Sequence, residues 1–138
     1  MDPNAARNFI VRNAFLCAAA IGITSCGTAT FSKTGSDARI ESLRSFQLAF
    51  IDEFAEPGKR FNAVAFEAKV NEGNAKFQQA IAEEKFTARR PVLNDLAAQF
   101  KADAAHLRSK ASRGKVTPAL ASEMKKDTNK IYDHALGR

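Results

Sequence analysis

Several residue types that mark particular functions are scarce in this sequence. The 138 residues contain no tryptophan, one tyrosine and two cysteines. Surfaces that stack nucleic acid bases usually combine Tyr or Trp with Arg, so we expect no nucleic acid partner, even though the net charge is +6. The chain also lacks an apolar run of roughly 18 residues, so we expect no membrane-spanning helix.

Recognisable catalytic and cofactor motifs are missing as well. The sequence has no Gly-rich phosphate loop, no Gly-x-Ser-x-Gly and no Cys-x-x-Cys-His. Asp103 and His106 have the one-turn spacing found in di-iron bundles, but those sites need two such pairs and further carboxylates. The acidic clusters at 52–56 and 83–84 lie among polar residues, which is typical of solvated faces. We therefore predict no catalytic residue, no metal site and no cofactor.

The N-terminal segment has the pattern of an export signal. Arg7 and Arg12 precede an apolar run at 14–23, and small residues follow it. A positive segment, an apolar stretch and a small-residue cleavage site together direct a chain out of the cytoplasm. The run is too short to cross a bilayer.

The end of this segment contains Ile23-Thr24-Ser25-Cys26. These residues resemble the lipobox of bacterial lipoproteins: an aliphatic residue, two small residues and the cysteine. The resemblance covers only the signal and Cys26. It implies a signal peptide at 1–25, acyl chains on the Cys26 thiol, cleavage before Cys26 and acylation of the new amino group. Two or more chains anchor a protein stably to a membrane.

Two further points bear on this segment. Gly27 follows the cysteine, whereas Asp there would resemble an inner-membrane retention signal, so in a Gram-negative cell we expect an outer-membrane anchor facing the periplasm. Ordinary cleavage at Gly27-Thr28-Ala29 remains an alternative. Cys17 would leave with the signal and Cys26 would be blocked, so the mature chain would have no disulfide and no free thiol.

Residues 37–138 carry a period of 3.6 in their apolar positions, after a small, polar tether at 26–36. The period predicts helices over about 37–56, 60–85, 90–111 and 118–136, with Ser36 and Thr117 as N-caps. Gly73-Asn74 predicts a kink or a break in the second helix. Four amphipathic helices with short turns predict an all-α, antiparallel four-helix bundle.

Phenylalanine is abundant, with 11 residues. Most of them follow the helical spacing, so we expect them to form the core rather than line a ligand cavity. Phe86 is the exception, because it lies near a predicted turn, and we expect it to be the least buried.

Charge is distributed unevenly along the predicted bundle. Residues 37–84 carry six basic and nine acidic side chains, whereas residues 85–138 carry twelve basic and five acidic ones. The densest basic segment contains Arg108, Lys110, Arg113 and Lys115. It is either a solvated turn or a contact for an anionic partner. In an up-down-up-down bundle this turn lies at the end away from the start of the first helix.

These observations predict a class of protein rather than an activity. We expect a non-catalytic, lipid-anchored protein of the bacterial cell envelope that acts by contact with another envelope protein or the cell wall. The alternative is a small periplasmic binding or carrier module for an apolar or anionic ligand.

Overall fold

The computed structural model describes residues 33–138, and these residues form four α-helices joined by short loops. The helices are α1 (Lys33–Phe54), α2 (Ala63–Glu83), α3 (Arg89–Ala111) and α4 (Pro118–Leu136). No strand occurs within this range, which confirms the predicted all-α class. None of these helices has the length and apolar character needed to cross a membrane.

Contacts between the helices show an up-down-up-down arrangement. Along α1, Arg44 and Asp52 pair with Asp133 and Lys125 of α4, and Glu41 pairs with Arg138, just beyond the end of α4. The partner numbers therefore fall as the α1 numbers rise. Glu67 of α2 likewise pairs with Arg108 of α3, while Phe77 packs on Phe100. Neighbouring helices are therefore antiparallel, and the predicted four-helix bundle is confirmed for Gly35–Arg138, which form one compact unit.

The centre of the bundle is filled by aromatic rings. Phe100 is fully buried, and its ring centroid lies 5.4 Å from those of both Phe50 and Phe77 and 6.0 Å from that of Phe46. Phe66 packs on Phe50 at 5.3 Å and extends the cluster toward the end of α1. Burying each such ring contributes about 1.5–3 kcal/mol, so the rings are a main source of stability. This confirms the predicted core role of phenylalanine.

Gly73 does not interrupt α2, which continues through Gly73 and Asn74. A Cβ atom at Gly73 would lie 2.4 Å from Cζ of Phe100 and 2.8 Å from Cε1 of Phe46. Glycine is thus present because two rings pack against the helix backbone. Of the two predicted alternatives, a kink or a break, the break is excluded, because glycine here serves tertiary packing and does not end the helix.

The start of α1 also differs from the prediction. The helix begins at Lys33, so Ser36 is a helical residue and its predicted role as N-cap was wrong. Its hydroxyl instead donates to Oε2 of Glu84 at 2.6 Å, a partner 48 residues away. At α4 the prediction is confirmed: Thr117 is the N-cap, its side chain accepts the Leu120 N–H at 3.2 Å, and Pro118 is the first helical residue.

Candidate functional site

The two ends of the bundle differ in chemistry. We call the end with the α1–α2 and α3–α4 loops the distal end. The proximal end contains the first turn of α1, the α2–α3 loop and the C-terminus of α4. Contacts of Asp37 with Arg89 at 2.6 Å and of Glu41 with Arg138 at 2.8 Å define the proximal end.

The predicted basic residues lie at the distal end, as the topology implies. Arg108 is exposed and pairs with Glu67 across the α2–α3 interface, 2.9 Å from Nη1 to Oε1. Within the described residues, no ion pair is formed by Lys110, Arg113 or Lys115. The structure thus separates the four candidates: the charge of Arg108 is balanced locally, and the charges of the other three are not.

Backbone hydrogen bonds order the last turn of α3, which carries Lys110, and the loop after it, which carries Arg113 and Lys115. The carbonyl oxygen of Lys110 accepts N–H bonds from Arg113 at 3.3 Å and Lys115 at 2.9 Å. Gly114 has a φ of +64°, a left-handed conformation that glycine adopts at little cost. Arg108 and Lys110 also lie in the last turn of α3, where positive charge interacts favourably with the helix dipole. The cations therefore project from an ordered turn, and part of their role is to stabilise the end of α3.

Sequence reasoning missed a buried polar network that joins α1, α3 and α4. The Tyr132 hydroxyl donates to Oε1 of Gln47 at 2.9 Å, and Nε2 of Gln47 donates to Oδ2 of Asp103 at 2.7 Å. Gln99 donates to the other Asp103 oxygen at 2.8 Å. Gln47 lay on the predicted α1 stripe, yet nothing in the sequence indicated partners 56 and 85 residues away.

Burial sets the acidity of this network. It raises the pKa of the Asp103 carboxyl above its usual range, because the desolvation of the charge outweighs the bonds from Gln99 and Gln47. Burial likewise raises the pKa of the Tyr132 hydroxyl, which stays protonated and donates to Gln47.

The Asp103 and His106 side chains are not brought together as metal ligands. Both Asp103 oxygens accept amide hydrogens, and His106 is exposed. Across residues 33–138, no three His, Cys, Asp or Glu side chains are grouped to hold a metal ion.

A second polar cluster lies at the proximal end, around the buried carboxylate of Glu84. Oε2 accepts from Ser36 at 2.6 Å and from Arg39 at 3.4 Å, and Oε1 accepts the Phe86 N–H at 2.9 Å. Desolvation alone would raise the pKa of Glu84, but the bond from Ser36, the backbone N–H groups of Phe86 and Lys85 and the charge of Arg39 together lower it. The carboxylate is therefore held ionised inside the fold.

Pairs of neighbouring helices enclose shallow grooves that open to the surface. One lies between α3 and α4 and is lined mainly by Val92, Leu96, Ile131 and Ala135, with Asp95 and His134 at its edge. Another lies between α2 and α3, beside the Arg108–Glu67 pair. The α2–α3 groove is lined by apolar residues together with Glu67, Lys101 and Arg108.

The lipobox residues Ile23, Thr24, Ser25 and Cys26 lie outside the described residues, so their assignment rests on the sequence. The chain matches no protein-family model, no curated protein and no solved structure.

Proposed function

We propose that this chain is a lipid-anchored protein of the bacterial cell envelope that acts without catalysis, by contact with another envelope protein or the cell wall. The observation that carries the proposal is Ile23-Thr24-Ser25-Cys26 directly after the apolar run at 14–23. Acyl chains on Cys26 hold the protein on a membrane. In a Gram-negative cell, we favour the periplasmic face of the outer membrane. The helical bundle then forms the exposed part of the molecule.

The distal end supports the contact role. It presents Lys110, Arg113 and Lys115 without ion-pair partners among the described residues, and Arg108 stands beside them. The matching surface on a partner is anionic. This end lies beside the C-terminus of α1, whereas the chain toward Cys26 leaves from Lys33 at the other end of that helix. We therefore infer that the distal end faces away from the anchoring membrane.

The packing of the core favours this role over that of a carrier for an apolar ligand. An apolar carrier needs internal space between its helices. Here the ring of Phe100 contacts those of Phe46, Phe50 and Phe77 in the position where such a cavity would lie.

The anchor is tested by replacing Cys26 in cells that export the protein. We expect Cys26→Ala to move the protein from the membrane fraction to the soluble fraction or to leave it as unprocessed precursor, and to abolish labelling by a fatty-acid analogue. Cys17→Ala is the matched control, because it changes the other cysteine and leaves the lipobox intact. Wild-type protein that carries no acyl label would refute the proposal.

A further inference from the structure

We propose that the α2–α3 loop at the proximal end contacts the lipid bilayer, with Phe86 inserted at the interface between headgroups and acyl chains and with Lys85 and Arg90 beside anionic headgroups. This inference rests on the proposed anchoring through Cys26. It assigns the bundle a membrane-facing end, in addition to the lipid chains themselves.

The first observation is the exposure of Phe86. Among the described residues, the exposed large hydrophobic side chains are Val64 at 81% and Phe86 at 41%, and the two lie at opposite ends of the bundle. The backbone at Phe86 is held on both sides: its N–H donates to Oε1 of Glu84 at 2.9 Å, and its carbonyl accepts the Arg89 N–H at 2.9 Å. The ring is therefore presented to solvent by an ordered turn.

The second observation is the charge around this ring. Lys85 and Arg90 are exposed, and Arg90 Nε donates to the Glu84 carbonyl at 3.2 Å, which keeps its stem against the loop. Nearby, Arg89 pairs with Asp37, and Arg39 lies between two carboxylates, 3.4 Å from that of Glu84 and 3.8 Å from that of Glu83. The Glu84 carboxylate is buried, with 1% of the residue exposed. Along the chain, the exposed ring of Phe86 thus has an exposed cation on either side, Lys85 in the loop and Arg90 in the first turn of α3.

The third observation is the position of the loop relative to the anchor. The Glu84 carboxylate accepts from Ser36 in α1 and from Phe86, so one side chain ties the start of α1 to the exposed ring. Seven peptide steps separate Cys26 from Lys33, and they span at most about 25 Å. The 22 residues of α1 extend a further length of about 33 Å. In the proposed anchored protein, the proximal end is therefore within about 25 Å of chain from Cys26, whereas the distal end lies a helix length farther along the chain.

A bilayer surface suits this chemistry better than a protein does. Aromatic rings partition into the headgroup region, and Lys and Arg near a membrane surface gain from anionic lipids. A single ring with two flanking cations is a small patch, well below the area that a stable protein interface buries. It adds an orienting contact to an anchor that already supplies the affinity.

The absence of tryptophan from the chain gives a direct test. Phe86→Trp introduces one reporter at the loop, and Val64→Trp introduces a matched reporter at the distal end. Each lipidated protein is purified and reconstituted in vesicles of phosphatidylcholine and phosphatidylglycerol with brominated acyl chains. We expect the emission of Phe86→Trp to shift to the blue and to be quenched by the brominated lipid, and that of Val64→Trp to be unchanged. Adding Arg90→Glu to Phe86→Trp should reduce the quenching.

The outcomes separate this inference from the proposed function. Mass spectrometry of the same samples reports acylation of Cys26. Acylated protein in which Phe86→Trp is not quenched, or in which both reporters are quenched alike, overturns the membrane contact and leaves the anchor standing. A blue shift without quenching indicates that the ring is covered by protein, and it also overturns the proposal. Protein without acyl chains removes the anchor and this inference together.

Discussion

Single residues in this protein are constrained by packing that their local sequence does not reveal. Gly73 is the clearest case. Glycine in the middle of a helix costs about 1 kcal/mol relative to alanine, and that cost usually indicates a weak point in the helix. Here the missing Cβ leaves room for the ring of Phe100, which is fully buried in the core, and for that of Phe46, which is partly buried against it. The local cost is offset by the burial of two aromatic side chains.

This view of Gly73 predicts the effect of substitution. We expect Gly73→Ala to lower the free energy of unfolding by about 1–3 kcal/mol, although alanine is the better helix former, because its Cβ would lie 2.4 Å from the Phe100 ring. The measurement is chemical denaturation followed by circular dichroism. Asn71→Ala is the control on an exposed position of the same helix, and it should be neutral or slightly stabilising. Equal behaviour of the two variants would contradict the packing role of Gly73.

At the scale of elements, hydrogen bonds between distant segments determine how the helices are joined. Ser36, Glu84 and Phe86 form one such junction between α1 and the α2–α3 loop. Gln47, Asp103 and Tyr132 form another between α1, α3 and α4. Apolar stripes allow helices to slide and rotate against one another, whereas a buried polar group requires its own partner. These junctions therefore fix the register of the bundle.

The first junction predicts a pH dependence of stability. Because the pKa of Glu84 is lower in the folded protein than in the unfolded chain, its carboxylate stabilises the fold above the unfolded value of about 4.3. This contribution is lost as the pH falls through the lower, folded value. We expect Glu84→Gln to cost about 1–3 kcal/mol at pH 7, since it weakens charged hydrogen bonds in a buried site.

The difference between wild type and Glu84→Gln should then shrink as the pH falls below about 4. Urea denaturation at a series of pH values measures it. Glu83→Gln is the neighbouring control, because Glu83 is half exposed, forms a long ion pair with Arg39, 3.8 Å apart, and accepts one exposed hydrogen bond from Gln79. Its effect should be small at every pH. A loss of stability for Glu84→Gln that does not change with pH would contradict the role given to the ionised carboxylate.

On the scale of the whole molecule, the up-down-up-down order separates two charged surfaces. The proximal end carries Phe86 with Lys85 and Arg90, and the distal end carries Lys110, Arg113 and Lys115. A bundle of this length holds the two groups about 30 Å apart. In the proposed arrangement, one end faces the anchoring membrane and the other faces a partner.

The distal contact is tested by charge reversal. We expect Lys110→Glu, Arg113→Glu and Lys115→Glu, introduced together, to reduce crosslinking to an anionic envelope partner at least tenfold, because three favourable charges become repulsive. Lys101→Glu, Lys126→Glu and Lys130→Glu together form the matched control, since these exposed lysines have no ion pair within residues 33–138 and the change in net charge is the same. If both triple variants lose crosslinking equally, the contact depends on overall charge and not on this turn.

Much of the architecture follows from the sequence alone. The apolar period of 3.6 predicts four helices and the all-α class, because a helix buries one stripe of side chains wherever it packs. Thr117-Pro118 predicts the start of α4, because capping depends on residues only a few positions apart. The lipobox proposed at residues 23–26 is also a local pattern. The topology that places Arg108–Lys115 at the distal end follows from the number of helices and the short turns.

Tertiary structure decided what depends on residues far apart in the chain. It made Ser36 a hydrogen-bond partner of Glu84 rather than an N-cap. It also packed the Phe100 ring against Gly73 within an unbroken α2. It paired Arg108 with Glu67 and left Lys110, Arg113 and Lys115 without ion pairs among the described residues. It also placed the exposed Phe86 beside the start of α1. Local pattern sets which residues are helical and apolar, whereas partners dozens of residues apart are brought together only by the packing of the helices.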